Sequence, residues 1–449
     1  MARAKKEAAL TPEERLQAAL VPDWEWPYKL PENWCWTYLT KAAECLDNFR
    51  KPINATERAG RNGNVPYYGA TGQVGWIDDF LTDEDLVLLG EDGAPFLDLI
   101  KDKAYLITGK AWVNNHAHIL RSLFGDTGNR YLLHYLNSFN YAGYVNGTTR
   151  LKLTQTSMDT IPIPLPPLAE QQRIVDRIES LFSKLDEAKE KAQAVLDSFE
   201  TRKAAILHKA FTGELTAKWR EEHGVGMDSW EKKSLSDVVT EFKYGTSEKS
   251  DYNNKGIPVL RIPNIGDNGI DLSDIKYLNH RNVDSESQIH EGDILIIRSN
   301  GSRDLVGKAV LVPELGCEYA YASFLIRVKP NHSIINAHYL TIFLNSTDAR
   351  GQMFRRAKSS AGINNINTKE LGAISLTVPS LPEQDEIVHI INEMMDKEQQ
   401  AKEAAEAVLG QIDLMKKSIL ARAFRGELGT NDPNEESAVE LLKEIIRRG

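Results

Sequence analysis

Long apolar runs are missing from this chain of 449 residues. None reaches the roughly 18 residues that a membrane-spanning helix requires, so no membrane partner is expected. The N-terminal MARAKKEAAL carries basic residues and then turns polar, without the apolar core of a secretory signal. Cysteine is scarce: Cys35, Cys45 and Cys317 are scattered, odd in number and form no CxxC pair. No disulfide framework is expected, and a cytoplasmic setting is. An excess of positive charge is also lacking. The formal net charge of −10 argues against coating nucleic acid by bulk electrostatics, and leaves binding by local patches open. Those patches exist. Between Ala349 and Lys369 stand Arg350, Arg355, Arg356, Lys358 and Lys369 with no acid, whereas Asp78 to Asp92 holds seven acids and no base.

Catalytic signatures are equally sparse. GSRDLVGKA, from Gly301 to Ala309, spaces its glycines six positions apart where a phosphate loop needs five. It also has Ala309 in place of the magnesium-binding Ser or Thr. No Asn/Asp-Pro-Pro-aromatic methyltransferase motif is present. Glu241 and Lys243, with Asp228 upstream, form a triplet common by chance. His116 and His118 stand at strand spacing without a companion at metal-ligand spacing, which favours packing or hydrogen bonding over a metal. The acidic run DDFLTDEDL reads as a solvated face. The chain is therefore expected to be no catalyst, and to hold no metal and no cofactor of its own.

What the chain does have is a duplication. Residues 166–215 and 379–428 align without a gap, Pro166 on Pro379 and Leu215 on Leu428, with 23 of 50 positions identical. A repeat of this length decides the architecture. In the first copy Ile174, Ile178, Leu181, Leu185, Ala188, Ala192, Val195, Phe199 and Ile206 alternate at spacings of four and three, with Arg202 in the one remaining slot. A seven-residue repeat held this long predicts a long helix in a coiled coil or bundle. The second copy carries Ile387, Ile391, Met394, Ala401, Ala405, Val408, Ile412, Met415 and Ile419. Glu398 stands where the first copy has Leu185. A charge on such a seam costs stability unless it is paired, and can fix which helix pairs with which.

The segments before the two helices are rich in short strand patterns punctuated by glycine, such as VPYYGATGQVGWI and GDILIIRSNGS. They share little sequence except near their ends, where Ile161, Ile163 and Leu165 map to Ile374, Leu376 and Val378. Asn33-Trp34 and Ser229-Trp230 mark equivalent beginnings. The expected organisation is an arm (1–27), a first head (28–165), a first long helix (166–215), a linker (216–226), a second head (227–378), a second long helix (379–428) and a tail helix (429–449). Thr11 and Glu14 form a capping-box pattern ahead of a short helix, and Trp24, Trp26 and Trp34 are expected to pin the arm on the first head.

Base edges are read by Arg, Lys, Asn, Gln and small hydroxyls, and phosphates by cations and backbone amides. In the first head Tyr67, Tyr68, Thr71 and Gln73 fit, with Arg50, Lys51, Arg58 and Arg61 as phosphate clamps; core packing is the alternative for the tyrosines. In the second head the candidates are Arg298, Ser299, Asn300, Ser302, Arg303 and Lys308, then Arg261 and Asn264, then Arg355, Arg356, Lys358, Asn364 and Asn365.

Two diverged heads, each followed by a near-repeated helix opening L-x-E-Q and closing F-x-G-E-L, resemble the specificity subunit of a type I restriction-modification enzyme. LPENW near Pro31, PYYGATG at Pro66 and GDILIIRSNGS at Gly292 add to the resemblance. It implies an α+β fold with two β-rich target-recognition domains and two long helices pairing as an antiparallel coiled coil, a pseudo-twofold duplication. It also implies double-stranded DNA as ligand, each head reading half of a split asymmetric target. The implied partners are two adenine-methyltransferase subunits using S-adenosylmethionine and a motor-nuclease subunit using ATP and magnesium. Both termini are expected to lie close together. The repeat alone would also permit a coiled-coil interaction scaffold with no DNA preference.

Overall fold

The computed structural model describes residues 11–253, 256–267, 269–279, 288–360 and 362–448. It divides into two units, Met1–Gln193 with Glu406–Gly449, and Ala194–Ala405. Each unit holds one head and part of both long helices. These helices run over Leu168–Phe211 and Leu381–Ala423.

In the first unit the strands Ala43–Cys45, Ala117–Ser122, Leu86–Gly90 and Ala104–Ile107 pair in that order. A second sheet orders Gly72–Ile77, Val65–Gly69, Lys110–Val113 and Thr82–Asp83. The apolar run at Leu86 is buried on both faces, as continuous rather than alternating hydrophobicity requires. The helix Gly125–Ser138 lays Tyr131, Leu132, Tyr135 and Leu136 on this core.

The second unit repeats the plan. Val239–Tyr244, Leu325–Pro330, Ile294–Ile297 and Ala309–Leu311 form a sheet in which the first strand again pairs with the last. Lys276–Leu278, Pro258–Leu260 and Ala320–Tyr321 stand as Gly72–Ile77, Val65–Gly69 and Lys110–Val113 do in the first head, with one antiparallel and one parallel neighbour each time. In both, an aromatic faces a proline across the antiparallel pair: Trp76 opposite Pro66, and Tyr277 opposite Pro258. The heads share a fold that their sequences do not declare.

Each head is fastened to the helices in the same way. Cys35–Tyr38 pairs antiparallel with Pro162–Leu165, and Glu231–Ser234 with Ser375–Val378. The L-x-E-Q glutamates are fully buried in the first helical turn. Glu170 accepts the Trp34 indole N–H at 2.7 Å. Glu383 accepts that of Trp230 at 3.1 Å. The glutamines bond back to the carbonyls of Pro166 and Pro379. The F-x-G-E-L closure of the opposite helix completes each junction. Thr430 Oγ1 donates to Glu170 and Thr216 Oγ1 to Glu383. The closing glycine is required for space as well as for its positive φ: a Cβ on Gly426 would lie 2.4 Å from Pro31 Cγ.

The helices pair antiparallel within each unit. In the first, Lys416 meets Asp186 at 2.6 Å and lies over the ring of Phe182. In the second, Lys402 lies over the ring of Phe199. The two polar exceptions on the seam find each other, Arg202 Nε donating to Glu398 at 2.8 Å. Leu181, Leu185, Val195, Phe199 and Met394 are half-buried, and Ile412 is buried. Two expectations need correction. Ile174, Ile178, Ile387 and Ile391 are buried in the head cores, where the helix openings sink into the sheet layers. Val408 and Met415 are 41% and 46% exposed, and Ala401 is exposed as well. A 3.6-residue helix drifts against a seven-residue pattern, and the half-buried positions become Lys402, Leu409 and Lys416, whose long stems cover apolar surface.

The arm helix Pro12–Ala19 forms with its capping box and packs on the tail helix Ala438–Arg448 through Ala19, Ala438 and Leu442. These two helices, which stand near opposite ends of the sequence, thus meet. Trp34 is buried, but Trp24 is 85% exposed, and Trp26 is 39% exposed with its indole N–H donating to the Val21 carbonyl of the arm itself. Leucines and alanines, not those tryptophans, fix the arm.

The two glutamate junctions differ in one respect. Arg220 donates to Glu383 at 2.6 Å, and both are buried. Glu170 has no guanidinium on its carboxylate, and burial pushes its carboxyl above the ordinary range. Glu383→Gln strands a buried guanidinium and should cost about 3–5 kcal/mol. Glu170→Gln keeps an acceptor for Trp34 and should stay within about 1 kcal/mol of the parent. Urea denaturation of both variants, followed by tryptophan fluorescence, checks the difference; equal losses would contradict it.

Candidate nucleic-acid interface

In the first unit the hairpin of Val65–Gly69 and Gly72–Ile77 presents a compact basic and aromatic surface. Lys51 and Arg61 lie 5.8 and 4.6 Å from the ring centre of Trp112. Arg58 lies 4.8 Å from that of Tyr67. Thr71 and Gln73 are exposed at the hairpin tip, beside Val74 and the 55% exposed Trp76. Two candidates leave this surface. Tyr67 is 2% exposed and packs with Ile53, Val65, Ile77 and Trp112. Arg50 bonds Asp47 at 2.9 Å, Glu91 and the carbonyl of Ala117, which commits it to the fold. Tyr68 is half-buried beside Tyr105.

In the second unit a three-stranded sheet joins two of the sequence groups. Ser299–Asn300 pairs with Ile363–Asn365, which pairs with Lys358–Ser360. Arg298 stacks 4.3 Å from the ring centre of Tyr244 and donates weakly to Asn365. Its backbone N–H bonds the carbonyl of Phe324, which is itself 56% exposed. Asn364, Asn365, Ser299 and Asn300 are half-buried; Ser302, Arg303 and Arg355 are exposed. Arg303 covers the ring of Phe354, and Arg356 reaches the carbonyls of Gln352 and Ala373. The group of Arg261 and Asn264 does other work. Asn264 is buried and bonds Arg261, Asp271 and Asp274, while Arg261 pairs with Asp274. Together they hold the turn after Pro258–Leu260. Lys308 is paired with Asp267 at 2.6 Å.

Sequence reasoning missed Trp76, Trp112, Tyr244 and Phe324. Trp76 had a signal: in GQVGWI it falls on the outward side of the strand, opposite in phase to Ile77. Phe324 directly precedes its strand, and nothing in period-2 patterning exposes it.

Other clusters resolve into structure. His118 faces Asp47 at 2.7 Å through one ring nitrogen and the carbonyl of Leu153 through the other. Cys45, Asp47 and His118 gather within 4.8 Å, but both imidazole nitrogens are occupied by the fold. His116 pairs with Asp92, and Glu241 with Arg327. The acidic run is not simply solvated: Asp78 pairs with Arg61, and Glu84 with Arg121. Among the described residues no helix is long and apolar enough to cross a membrane.

Each unit also carries a cavity where its head meets the helices. In the first unit, about 410 Å³ are lined by Ala104, Tyr105, His134, Phe182, Lys416 and Leu420 among others. In the second, about 1140 Å³ are lined by Ala309, Leu311, His338, Met395, Lys203 and Leu207 among others. Through the duplication Lys416 corresponds to Lys203, Leu420 to Leu207 and Phe182 to Met395. A groove with corresponding helix residues occurs in each unit, the second about three times the volume of the first.

A family model for the type I restriction modification DNA specificity domain matches residues 46–196 and again 227–407. The chain belongs to this family. It is 29% identical over 332 residues to the type I restriction enzyme EcoKI specificity subunit of Escherichia coli K12, spanning 70% of each chain. It is 27% identical over 335 residues to the StySPI specificity subunit of Salmonella potsdam, again 70% of each. The crystal structure of the HsdS subunit from Thermoanaerobacter tengcongensis superimposes with a TM-score of 0.61 at 18% identity, over 90% of this chain and 100% of that one. That likeness shows the shared fold. Membership of the specificity family implies DNA target recognition, and its members are the non-catalytic subunits of their enzymes.

The network around Arg50 sets a pH dependence. Burial alone would raise the Asp47 and Glu91 carboxyls. Hydrogen bonds from His118 to Asp47, and from Lys152 and Arg50 to Glu91, outweigh it and hold both below their ordinary 3.8 and 4.5. The stability they contribute is complete at neutral pH and is lost as pH falls below those values. Arg50→Met should therefore move acid unfolding of this chain to higher pH while leaving DNA affinity at neutral pH unchanged. Circular dichroism against pH and a binding titration measure the two; a loss of affinity alone would return Arg50 to the interface.

Proposed function

We propose that this chain is the DNA-reading and scaffolding subunit of a type I restriction-modification complex. Each head reads one half of a split asymmetric target in double-stranded DNA, and the paired helices set the spacing. The observation that carries this reading is the contrast between framework and heads. The junction tryptophan, glutamate and glutamine and the F-x-G-E-L helix ends repeat, whereas the heads keep a strand order and change the side chains they present.

In the first head Lys51, Arg58 and Arg61 engage phosphates while Thr71, Gln73 and Trp76 meet the groove. In the second, Arg298, Ser299, Asn300, Asn364 and Asn365 lie together on one small sheet, with Tyr244 behind Arg298 holding its guanidinium in plane. A bidentate base contact from such a residue is worth about 1–3 kcal/mol of discrimination. The chain supplies no chemistry. S-adenosylmethionine would be held by two adenine-methyltransferase subunits, and ATP and magnesium by a motor-nuclease subunit.

The groove at corresponding helix positions in each unit supports docking of two copies of one partner, since the lysine and leucine on its helix side repeat. Lys203→Glu and Lys416→Glu should each remove one methyltransferase subunit, and the double variant both. Mass photometry of the reconstituted complex counts them; unchanged stoichiometry in the double variant would exclude the groove as the dock.

Deleting one heptad from each long helix, residues 188–194 and 401–407, keeps the seam phase and shortens it by about 10 Å. At roughly 3.4 Å per base pair, the gap between half-sites should contract by about three base pairs. Sequencing of methylated adenines in cells carrying the variant reads the gap directly. An unchanged gap would end the ruler idea, and methylation without any sequence preference would favour the scaffold without DNA specificity.

A further inference from the structure

Besides Lys416 with Asp186, the paired long helices carry a second ion pair, Arg202 with Glu398, whose placement in the duplication is uneven. Arg202 contributes Nε and Nη2 to Glu398 at 2.8 and 2.7 Å, and the same guanidinium bonds the Val195 carbonyl and Ser198. The duplicated counterpart of Arg202 is Met415, and that of Glu398 is Leu185. Each helix thus has one charged and one apolar residue at these two positions, in opposite order.

Two helices so closely repeated face an ambiguity. A first helix could pair antiparallel with the first helix of another copy of the chain, and a second with a second. With the register kept, Arg202 would then face Leu185 of the other copy, and Glu398 would face Met415. Each such dimer would set two like charges against apolar side chains with no partner. Pairing of unlike helices instead joins the charges to each other and leaves half-buried Leu185 and the 46% exposed Met415 as the corresponding apolar positions, with no charge between them. The Lys416–Asp186 pair does not make this distinction: Asp186 has Gln399 as its counterpart, but its lysine repeats as Lys203, so Asp186 would find a lysine in either pairing.

We infer that Arg202 and Glu398 form a pairing code that directs the first helix to the second and away from a second copy of this chain. The surface concerned is the seam itself, and the rejected partner is its own duplicate. A single polar position is known to specify register and partner in coiled coils at some cost in stability, and a half-exposed ion pair adds little stability beyond that. The effect is therefore one of partner choice.

The test is done on the full chain. Arg202→Met with Met415→Arg keeps the composition and rewrites the code. Glu398 of one copy can then meet the introduced arginine of another, while the introduced methionine meets Leu185. Light scattering across a concentration series should find the parent chain and the charge-reversed pair (R202E with E398R) as one-chain species. The rewritten chain should populate a two-chain species. Should the rewritten chain fail to fold, Arg202→Met with Glu398→Leu removes the code without introducing a lone charge, and its two-chain fraction should rise with concentration. The proposal is overturned if this uncoded chain remains as monomeric as the parent, or if the parent itself forms the two-chain species.

Discussion

Everything in each unit converges on one buried carboxylate. Glu170 and Glu383 sit in the first turn of the long helices, where the helix dipole favours negative charge. Each also accepts the indole N–H of the tryptophan that opens a head and the hydroxyl that follows the closure of the opposite helix. A single oxygen-bearing group therefore fixes three strangers: the base of a head, the beginning of one helix and the end of the other. Burial of that group without partners would be costly, so the partners cannot vary freely. This explains why L-x-E-Q, F-x-G-E-L and the tryptophan recur while the residues between them drift.

The consequence for the heads is freedom. Once a strand on each side of the head is pinned, as Pro162–Leu165 and Ser375–Val378 are, the sheets beyond need only keep their core. The cores do so with different residues: Leu86, Leu88 and Ile119 in one, Ile294, Ile296 and Val328 in the other. Surface residues on the outer strands are then under no constraint from the junction. A recognition protein needs that separation, because a base contact can change without disturbing how the head is held.

The framework was legible in the sequence because helical periodicity and duplication are one-dimensional signals. The long helices follow from spacing, the arm helix from its capping box, and Trp34 and Trp230 from the repeat layout; the strand pairs at the head ends do not, since the sequence marks only their last strands as equivalent. The common head fold was not legible, since a sheet records only alternation and burial, and Val259 can stand where Tyr67 does. The reading surface was partly legible. Arg298 and Asn364 are 66 positions apart in the sequence, and only the pairing of Ser299–Asn300 with Ile363–Asn365 brings them together. Arg50 and Asn264 look like free polar residues in a sequence, yet are bound into the fold by partners distant in the chain. Composition cannot tell a solvated cation from one already paired.

Exact symmetry would serve this chain poorly, and the departures from it are informative. A perfect repeat would make every interface available to a second copy and every junction interchangeable. The breaks fall where they separate the halves with least disturbance to packing. Arg220 neutralises Glu383 while Glu170 relies on a tryptophan and a threonine, so the two junctions are held by different chemistry. Arg202 and Glu398 occupy seam positions whose counterparts are apolar. Neither change alters the length or phase of a helix. Duplication supplied two equal holders; a few charged substitutions made them distinguishable, and the heads were left to diverge on top.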